Sequence, residues 1–288
     1  MKTILVTGAN GQLGRSLESS ISTPEKNNFL FSDVDTLDIC NKASVEAFVR
    51  TNNVGYIVNC AAYTAVDEAE SNEMLCLRIN TEAVRNLGEI ASALGLKIIH
   101  ISTDYVFDGT NSIPYTETDY TCPLSVYGRS KERGEIVLRS VCPDALIIRT
   151  SWLYSEYGNN FALTMLSLGK SCRELRVVSD QVGSPTYAAD LACAILAILD
   201  SARSGVFLPG IYHYSGEGVC SRYDFARKIF RLAHLPTPVI PIETKDYPTR
   251  AVRPPYSVLN KKKIKQAYGL TIPHWEESLK EMIHKLNV

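Results

Sequence analysis

The first fourteen residues constrain this chain most. A short apolar run, Thr3-Ile4-Leu5-Val6, passes through Thr7 into Gly8-Ala9-Asn10-Gly11-Gln12-Leu13-Gly14, a G-x-x-G-x-x-G turn followed by a helical pattern. Gly8 and Gly11 let the backbone bend and approach a ligand closely, and Gly14 lets the helix lie near the strand. The exposed N–H groups and positive dipole end of that helix then suit a pyrophosphate. The spacing differs from the ordinary G-x-G-x-x-G dinucleotide fingerprint, and a ligand-free strand-to-helix turn is the plainer reading. Its place at the first strand favours binding, because phosphates sit at the carboxyl ends of strands near the switch point of an open sheet.

The rest of the chain agrees with such a sheet. Lys2 to Thr7, Phe29 to Ser32, Tyr56 to Cys60, Lys97 to Ser102 and Ala145 to Arg149 read as strands. They are continuous apolar runs, as expected when both faces of a sheet are covered. Helical stretches lie between them. The clearest is Thr81 to Leu94, where Ala83, Val84, Leu87, Ile90, Ala91 and Leu94 form one stripe and Gly95 stands at the C-terminal cap. The expected fold class is α/β: a doubly wound parallel sheet of Rossmann type with a second, smaller α/β substrate-binding lobe. Eleven of the 13 prolines fall at or after Pro123, and helical patterns at Ala188 to Leu199, Ser221 to Ala233 and Trp275 to Leu286 are separated by proline-marked loops. The expected division is a nucleotide-binding domain over 1–165 and a lobe over 166–288, with a soft, interleaved boundary.

Composition excludes several classes. The 288 residues carry 30 basic and 31 acidic side chains, so no bulk charge favours nucleic acid. The longest apolar run, Leu191 to Leu199, is far shorter than the roughly 20 residues of a membrane span. No secretory leader is visible, because Met1 and Lys2 lead straight into the first strand. The eight cysteines form no C-x-x-C and are expected to be free thiols in a cytoplasmic protein. No metal ligands are assigned.

Asp33 stands at the end of the second expected strand, where a carboxylate can accept from an adenosine ribose and favour NAD. Asp38 is a further candidate near the adenine edge. Arg15 could meet a 2′-phosphate and favour NADP, or be a solvated surface residue. The coenzyme is therefore read as NADPH or NADH.

Tyr127-Gly128-Arg129-Ser130-Lys131 is a Y-x-x-x-K pattern, which puts phenol and ammonium on one helix face. A tyrosine has an ordinary pKa near 10, and the Lys131 charge is expected to lower it so that Tyr127 can exchange a proton. Lys131 can also hold ribose hydroxyls. Thr103, at the carboxyl end of the fourth expected strand, can hydrogen-bond a carbonyl oxygen in the same crevice. Each feature alone has a bland explanation, a surface helix pair or a strand-end turn. Together, in this order, they form a catalytic group of Thr103, Tyr127 and Lys131.

These residues resemble an extended short-chain dehydrogenase/reductase. Longer segments are similar to the dTDP-4-dehydrorhamnose reductases within that superfamily: Asn59 to Glu70 (NCAAYTAVDEAE), Ser102 to Gly109 (STDYVFDG), Arg149 to Trp152 (RTSW), Asp180 to Thr186 (DQVGSPT), and Arg253-Pro254 with Ser257 and Leu259. The resemblance spans both lobes. It implies hydride reduction at C4 of a dTDP-linked 4-keto-6-deoxy-L-sugar, with Tyr127 protonating the oxygen. It implies that Asn10 to Leu13, Asp38, Ile39, Ala62, Tyr63 and Thr64 line the coenzyme. Thr103, Asp104 and Trp152 would contact the sugar, and Arg253 its diphosphate, with a surface ion pair as the alternative for Arg253. Asn80 would support the site, or simply cap the helix at Thr81. Related dehydratases carry Thr-Asp-Glu where this chain has Thr103-Asp104-Tyr105, so elimination is disfavoured. Mg2+ at a dimer contact occurs in some members, and a homodimer is left open. A non-catalytic regulatory subunit like that of methionine adenosyltransferase, or another sugar-nucleotide reductase or epimerase, are the competing readings.

Overall fold

The computed structural model describes residues 2–286, so residues 1, 287 and 288 of the two expected domains lie outside it. Six strands build the main sheet: β1 (Thr3–Thr7), β2 (Phe29–Ser32), β3 (Val54–Asn59), β4 (Lys97–Thr103), β5 (Leu146–Thr150) and β6 (Gly210–His213). Their order is β6-β5-β4-β3-β1-β2, and every pairing is parallel. The chain reverses direction between β1 and β3, which puts the topological switch point at the exit of β1.

Parallel strands need covered crossovers, and this sheet carries an apolar layer on each face. One layer holds α1 (Gln12–Ser20) and α6 (Ala188–Arg203) against Ile4, Val6, Val58 and Ile148. The other holds α2 (Lys42–Thr51), α3 (Ala83–Leu94) and α4 (Val126–Val141) against Leu5, Ile57, Ile98 and Ile147. Alternate residues of the same strands serve the two layers, which is why these runs are apolar throughout.

Helix ends follow local chemistry. Gly95 closes α3 with φ +64°, the left-handed cap expected from sequence. Ser125 opens α4 by accepting from the Gly128 N–H at 3.1 Å. Asn80 departs from expectation. It is not an N-cap, because helix runs back through Glu73–Leu77 and a π-helical turn over Arg78–Glu82 before α3 begins. Such turns re-aim side chains out of the regular ladder.

A third apolar cluster belongs to the later part of the chain. It joins α5 (Phe161–Ser171), α7 (Arg222–Leu232) and α9 (Trp275–Lys285) through Met165, Phe225, Phe230, Trp275 and Met282. Three short strand pairs edge it: Leu175–Val178 with Val239–Ile242, Val182–Gly183 with Cys220–Ser221, and Leu153–Tyr154 with Thr186–Tyr187. Residues 188–213 return to the main sheet as α6 and β6, and α8 (Lys262–Tyr268) also packs there through Ile264. No described helix is long and apolar enough to cross a membrane.

Candidate active site

The carboxyl ends of β1 to β5 open into one cavity of about 960 Å³. That is the size of a site for a substantial organic ligand. Gly8, Asn10, Gly11, Gln12 and Leu13 of the glycine turn form its floor. Gly8 has φ +68°, and a Cβ there would lie 2.6 Å from the Ala61 nitrogen. Gly11 begins α1 with no side-chain cap, so the first N–H groups of the helix remain available to an anion. Asp33 and Asp38 lie at the far end with buried Ile39, and Ala62 and Thr64 line the wall beyond β3. The Asp33 carboxylate accepts from the Asn10 N–H at 2.8 Å, which ties the end of β2 to the glycine turn.

Three coenzyme candidates lie off the cavity wall. Gly14 sits behind the turn, where a Cβ would stand 2.4 Å from the Gly8 carbonyl oxygen, so it serves the close approach of helix and loop. Tyr63 packs beside Ala69, Cys76 and Tyr127, and its backbone N–H and C=O are both held by the Asn80 amide at 2.8 and 3.0 Å. That amide also donates to Ser130 on α4 at 3.0 Å, so Asn80 braces the wall from behind. Arg15 is exposed and covers the Tyr157 ring at 4.9 Å.

The catalytic candidates converge on the same cavity. Thr103 ends β4, Tyr127 and Lys131 face inward from α4, and all three line the space with Asp104 and Trp152. The Thr103 hydroxyl favours the Tyr127 phenolate, but burial outweighs it and raises the phenol pKa above its ordinary value. The direction is opposite to the sequence expectation. Burial is the cause, and the Lys131 ammonium does not offset it: its Nζ donates to the Ile101 carbonyl at 2.7 Å and lies 3.5 Å from His100 Nε2. Burial also pulls Lys131 down to about 8, against the charge of Glu135. Asp104, 2% exposed, is pushed up to about 6 by burial, opposed by Ser257 and Arg222 of the later segments. Its Oδ1 accepts from Thr103 at 3.1 Å, while Oδ2 has no hydrogen-bond partner among the described residues.

Arg253 does not line the cavity. Its guanidinium makes a bidentate pair with Asp67, with Nη2 to Oδ2 at 2.6 Å and Nη1 to Oδ1 at 3.3 Å. The arginine at the Trp152 end of the cavity is Arg222, at the start of α7, stacked 3.6 Å over the Trp152 ring. Sequence reasoning missed it. No motif marks Arg222, and only its place after the Ser221 capping box, which fixes where α7 starts, hints at its position. Arg78 was missed likewise. It lines the Asp38 end of the cavity, with Nη2 3.8 Å from the Asp38 carboxylate.

Beneath the site, Arg149 and Glu135 form a buried ion pair at 2.6 Å, and Ser102 donates to the same carboxylate at 2.5 Å. All eight cysteines are free. Among the described residues, no group of three or more His, Cys, Asp or Glu side chains could hold a metal ion.

A family model described as "RmlD substrate binding domain" matches residues 1–288. A curated relative from Aggregatibacter actinomycetemcomitans named dTDP-4-dehydrorhamnose reductase is 43% identical over 290 residues, covering 98% of each chain. Among solved structures, a dTDP-4-dehydrorhamnose reductase from Clostridium acetobutylicum superposes with a TM-score of 0.94 at 43% identity, covering 100% of both chains. One from Bacillus anthracis, solved in complex with NADP, gives a TM-score of 0.93 at 40% identity over 99% of this chain and 100% of its own.

Proposed function

The chain belongs to the RmlD substrate-binding-domain family, and from that premise we propose that it is a dTDP-4-dehydrorhamnose reductase. It is an NAD(P)H-dependent oxidoreductase of dTDP-rhamnose synthesis, reducing the C4 keto group of dTDP-4-dehydro-6-deoxy-L-mannose to give dTDP-L-rhamnose. The observation that carries this reading is the single cavity in which the glycine turn, Thr103, Tyr127 and Lys131 meet. The eight free thiols fit a cytoplasmic enzyme.

The residues present fit a nicotinamide coenzyme. The glycine turn can admit a pyrophosphate close to the backbone, and the carboxylates of Asp33 and Asp38, which line the same cavity, can accept from ribose hydroxyls. Bound there, the reduced nicotinamide supplies the hydride. Tyr127 supplies the proton to the C4 oxygen. Burial keeps the phenol loaded with its proton near neutral pH, and the proton leaves as negative charge develops on the sugar oxygen. The Thr103 hydroxyl, which donates to Asp104 Oδ1 in this structure, turns its proton to the same oxygen when substrate is present. Lys131, one helical turn from Tyr127, orients the coenzyme ribose. Asp104 lines the cavity and offers its carboxylate to a sugar hydroxyl, and Trp152 with Arg222 stacked on it lines the substrate end. We assign residues 1–165 mainly to the coenzyme and 166–288 mainly to the sugar nucleotide, with residues 188–213 shared with the sheet.

The test is turnover. The purified protein is mixed with the keto-sugar nucleotide and NADPH or NADH, and loss of the reduced-nicotinamide absorbance is followed. Folded protein that consumes neither coenzyme overturns the assignment.

A further inference from the structure

A chain of buried polar groups runs from Lys131 into the sheet, and the mechanism above does not use it. Lys131 Nζ lies 3.5 Å from Nε2 of His100 on β4. His100 Nδ1 lies 2.9 Å from Asn59 Nδ2 at the end of β3, and Asn59 Oδ1 accepts from Thr7 Oγ1 at 2.7 Å at the end of β1. His100 and Asn59 are 0% exposed, and Lys131 and Thr7 are 1% exposed. Three neighbouring parallel strands thus each contribute one polar side chain to a line that ends on the lysine.

The donors and acceptors along this line are in conflict. If the Asn59 amide nitrogen donates to Nδ1, the neutral imidazole carries its proton on Nε2. That N–H then points at an ammonium, donor against donor. An imidazolium would be worse, because burial and the Lys131 charge both lower the His100 pKa. Turning the amide end for end removes the conflict, since its two ends have the same shape. The Asn59 oxygen then accepts from Nδ1–H, Nε2 becomes a bare acceptor for Lys131, and the amide nitrogen donates to Thr7 Oγ1. One neutral hydroxyl proton is left to find another acceptor. That is the lesser loss, because a hydrogen bond from an ionised group is the stronger one.

We propose that His100 is a positioning residue for Lys131: a neutral imidazole, protonated on Nδ1 and fixed by the Asn59 carbonyl, whose Nε2 accepts from the lysine ammonium. With the Ile101 carbonyl it gives the buried ammonium two fixed acceptors and leaves one N–H for the cavity. The line ends on buried Thr7, so it holds the lysine and does not carry protons to solvent. The other titratable groups acting on Lys131 are Glu135 from α4, Cys76 from the Glu73–Leu77 turn and Cys60 beyond β3, and they are the same with or without the imidazole.

The inference rests on Lys131 acting in the reductase reaction, but its first test does not. Long-range proton–nitrogen correlation spectra of the full-length protein at pH 7 report the tautomer of His100, assigned by comparison with His100→Gln. A proton on Nδ1 is expected, and a proton on Nε2 overturns the proposal even if turnover is normal. Kinetics supply the second test. His100→Leu removes the acceptor, so the alkaline limb of the kcat profile moves to lower pH, with a loss of about tenfold at pH 8 and less at pH 6.5. His100→Gln keeps an acceptor oxygen near the position of Nε2 and restores most of that loss. An unchanged alkaline limb in folded His100→Leu, or equal losses in the two variants at every pH, sinks the positioning role. Full turnover in Lys131→Met would instead sink the catalytic reading while leaving the tautomer result standing.

Discussion

Trp152, on the cavity wall, packs against Gly183, and the contact exists because Gly183 has no side chain. A Cβ on Gly183 would lie 2.6 Å from the Trp152 indole. Arg222 covers the same ring system at 3.6 Å, and Trp152 itself sits at φ +47°, a left-handed conformation unusual for a bulky residue. Such strain persists only where the surroundings over-determine it. Gly183→Ala is expected to displace the indole, raise KM for the keto-sugar nucleotide about tenfold or more, and leave coenzyme affinity near the parent value. Steady-state kinetics beside coenzyme titration measure both, and unchanged substrate KM would show that the stack does not shape the sugar site.

Tyr127→Phe removes the proton donor and keeps the ring. Turnover should fall by about 10²–10⁴, the usual range for a general acid. Coenzyme affinity should change little, since Lys131 and the glycine turn are untouched. Turnover within threefold of the parent enzyme would mean that another group protonates the sugar oxygen.

Arg222 and Arg253 can be separated by paired variants. Arg222→Gln takes a cation out of the cavity, whereas Arg253→Gln breaks the pair with Asp67 at its margin. The larger rise in substrate KM, on the order of tenfold or more, is expected for Arg222, where a charge-assisted contact to the diphosphate is lost. A larger effect at Arg253 would mean that this guanidinium leaves Asp67 for the substrate.

Asp104 links stability to function. Its folded pKa of about 6 lies above its ordinary value of 3.8. Between those values the folded protein binds the proton and the unfolded chain has lost it, so this group makes stability fall as pH rises from about 4 to 6. Asp104→Asn removes that penalty. At pH 8 the variant should be more stable by roughly 1–3 kcal/mol, with the advantage gone below about pH 4. Denaturant unfolding at the two pH values tests this. Substrate affinity should fall in the same variant, since the carboxylate is lost as a charged acceptor on the cavity wall.

Glu135→Ala strands the Arg149 guanidinium in a pocket where both partners are nearly dry. Removing one partner of a buried pair typically costs about 3–5 kcal/mol. Replacing both, as Glu135→Leu with Arg149→Met, should recover a large part of that loss. Chemical denaturation of the single and double variants gives the comparison, and equal stability of Glu135→Ala and the parent would mean that water reaches Arg149.

Much of this architecture was legible in the chain itself. Strands at Phe29–Ser32 and Lys97–Thr103 and the helix closed by Gly95 follow from apolar runs, stripe spacing and cap chemistry, all local effects of sequence. Residues 188–213 could not be assigned to the main sheet in this way. Whether α6 packs on α1 or on α7 depends on the surface it meets, and its own apolar stripe does not say. The same limit applied to Asn80, where a capping pattern and a π-turn share the same residue types.

The site divides along the same line. The order and spacing of amino acids determined the glycine turn, the Thr103 strand end and the Tyr127–Lys131 helix face, because each depends on neighbours a few residues apart. Only the tertiary structure decided which way Lys131 points, that the Tyr127 phenol is held above its ordinary pKa, and that Arg222 enters the cavity while Arg253 faces Asp67. Dehydration and charge pairing depend on what arrives from distant parts of the chain, and no local pattern encodes that.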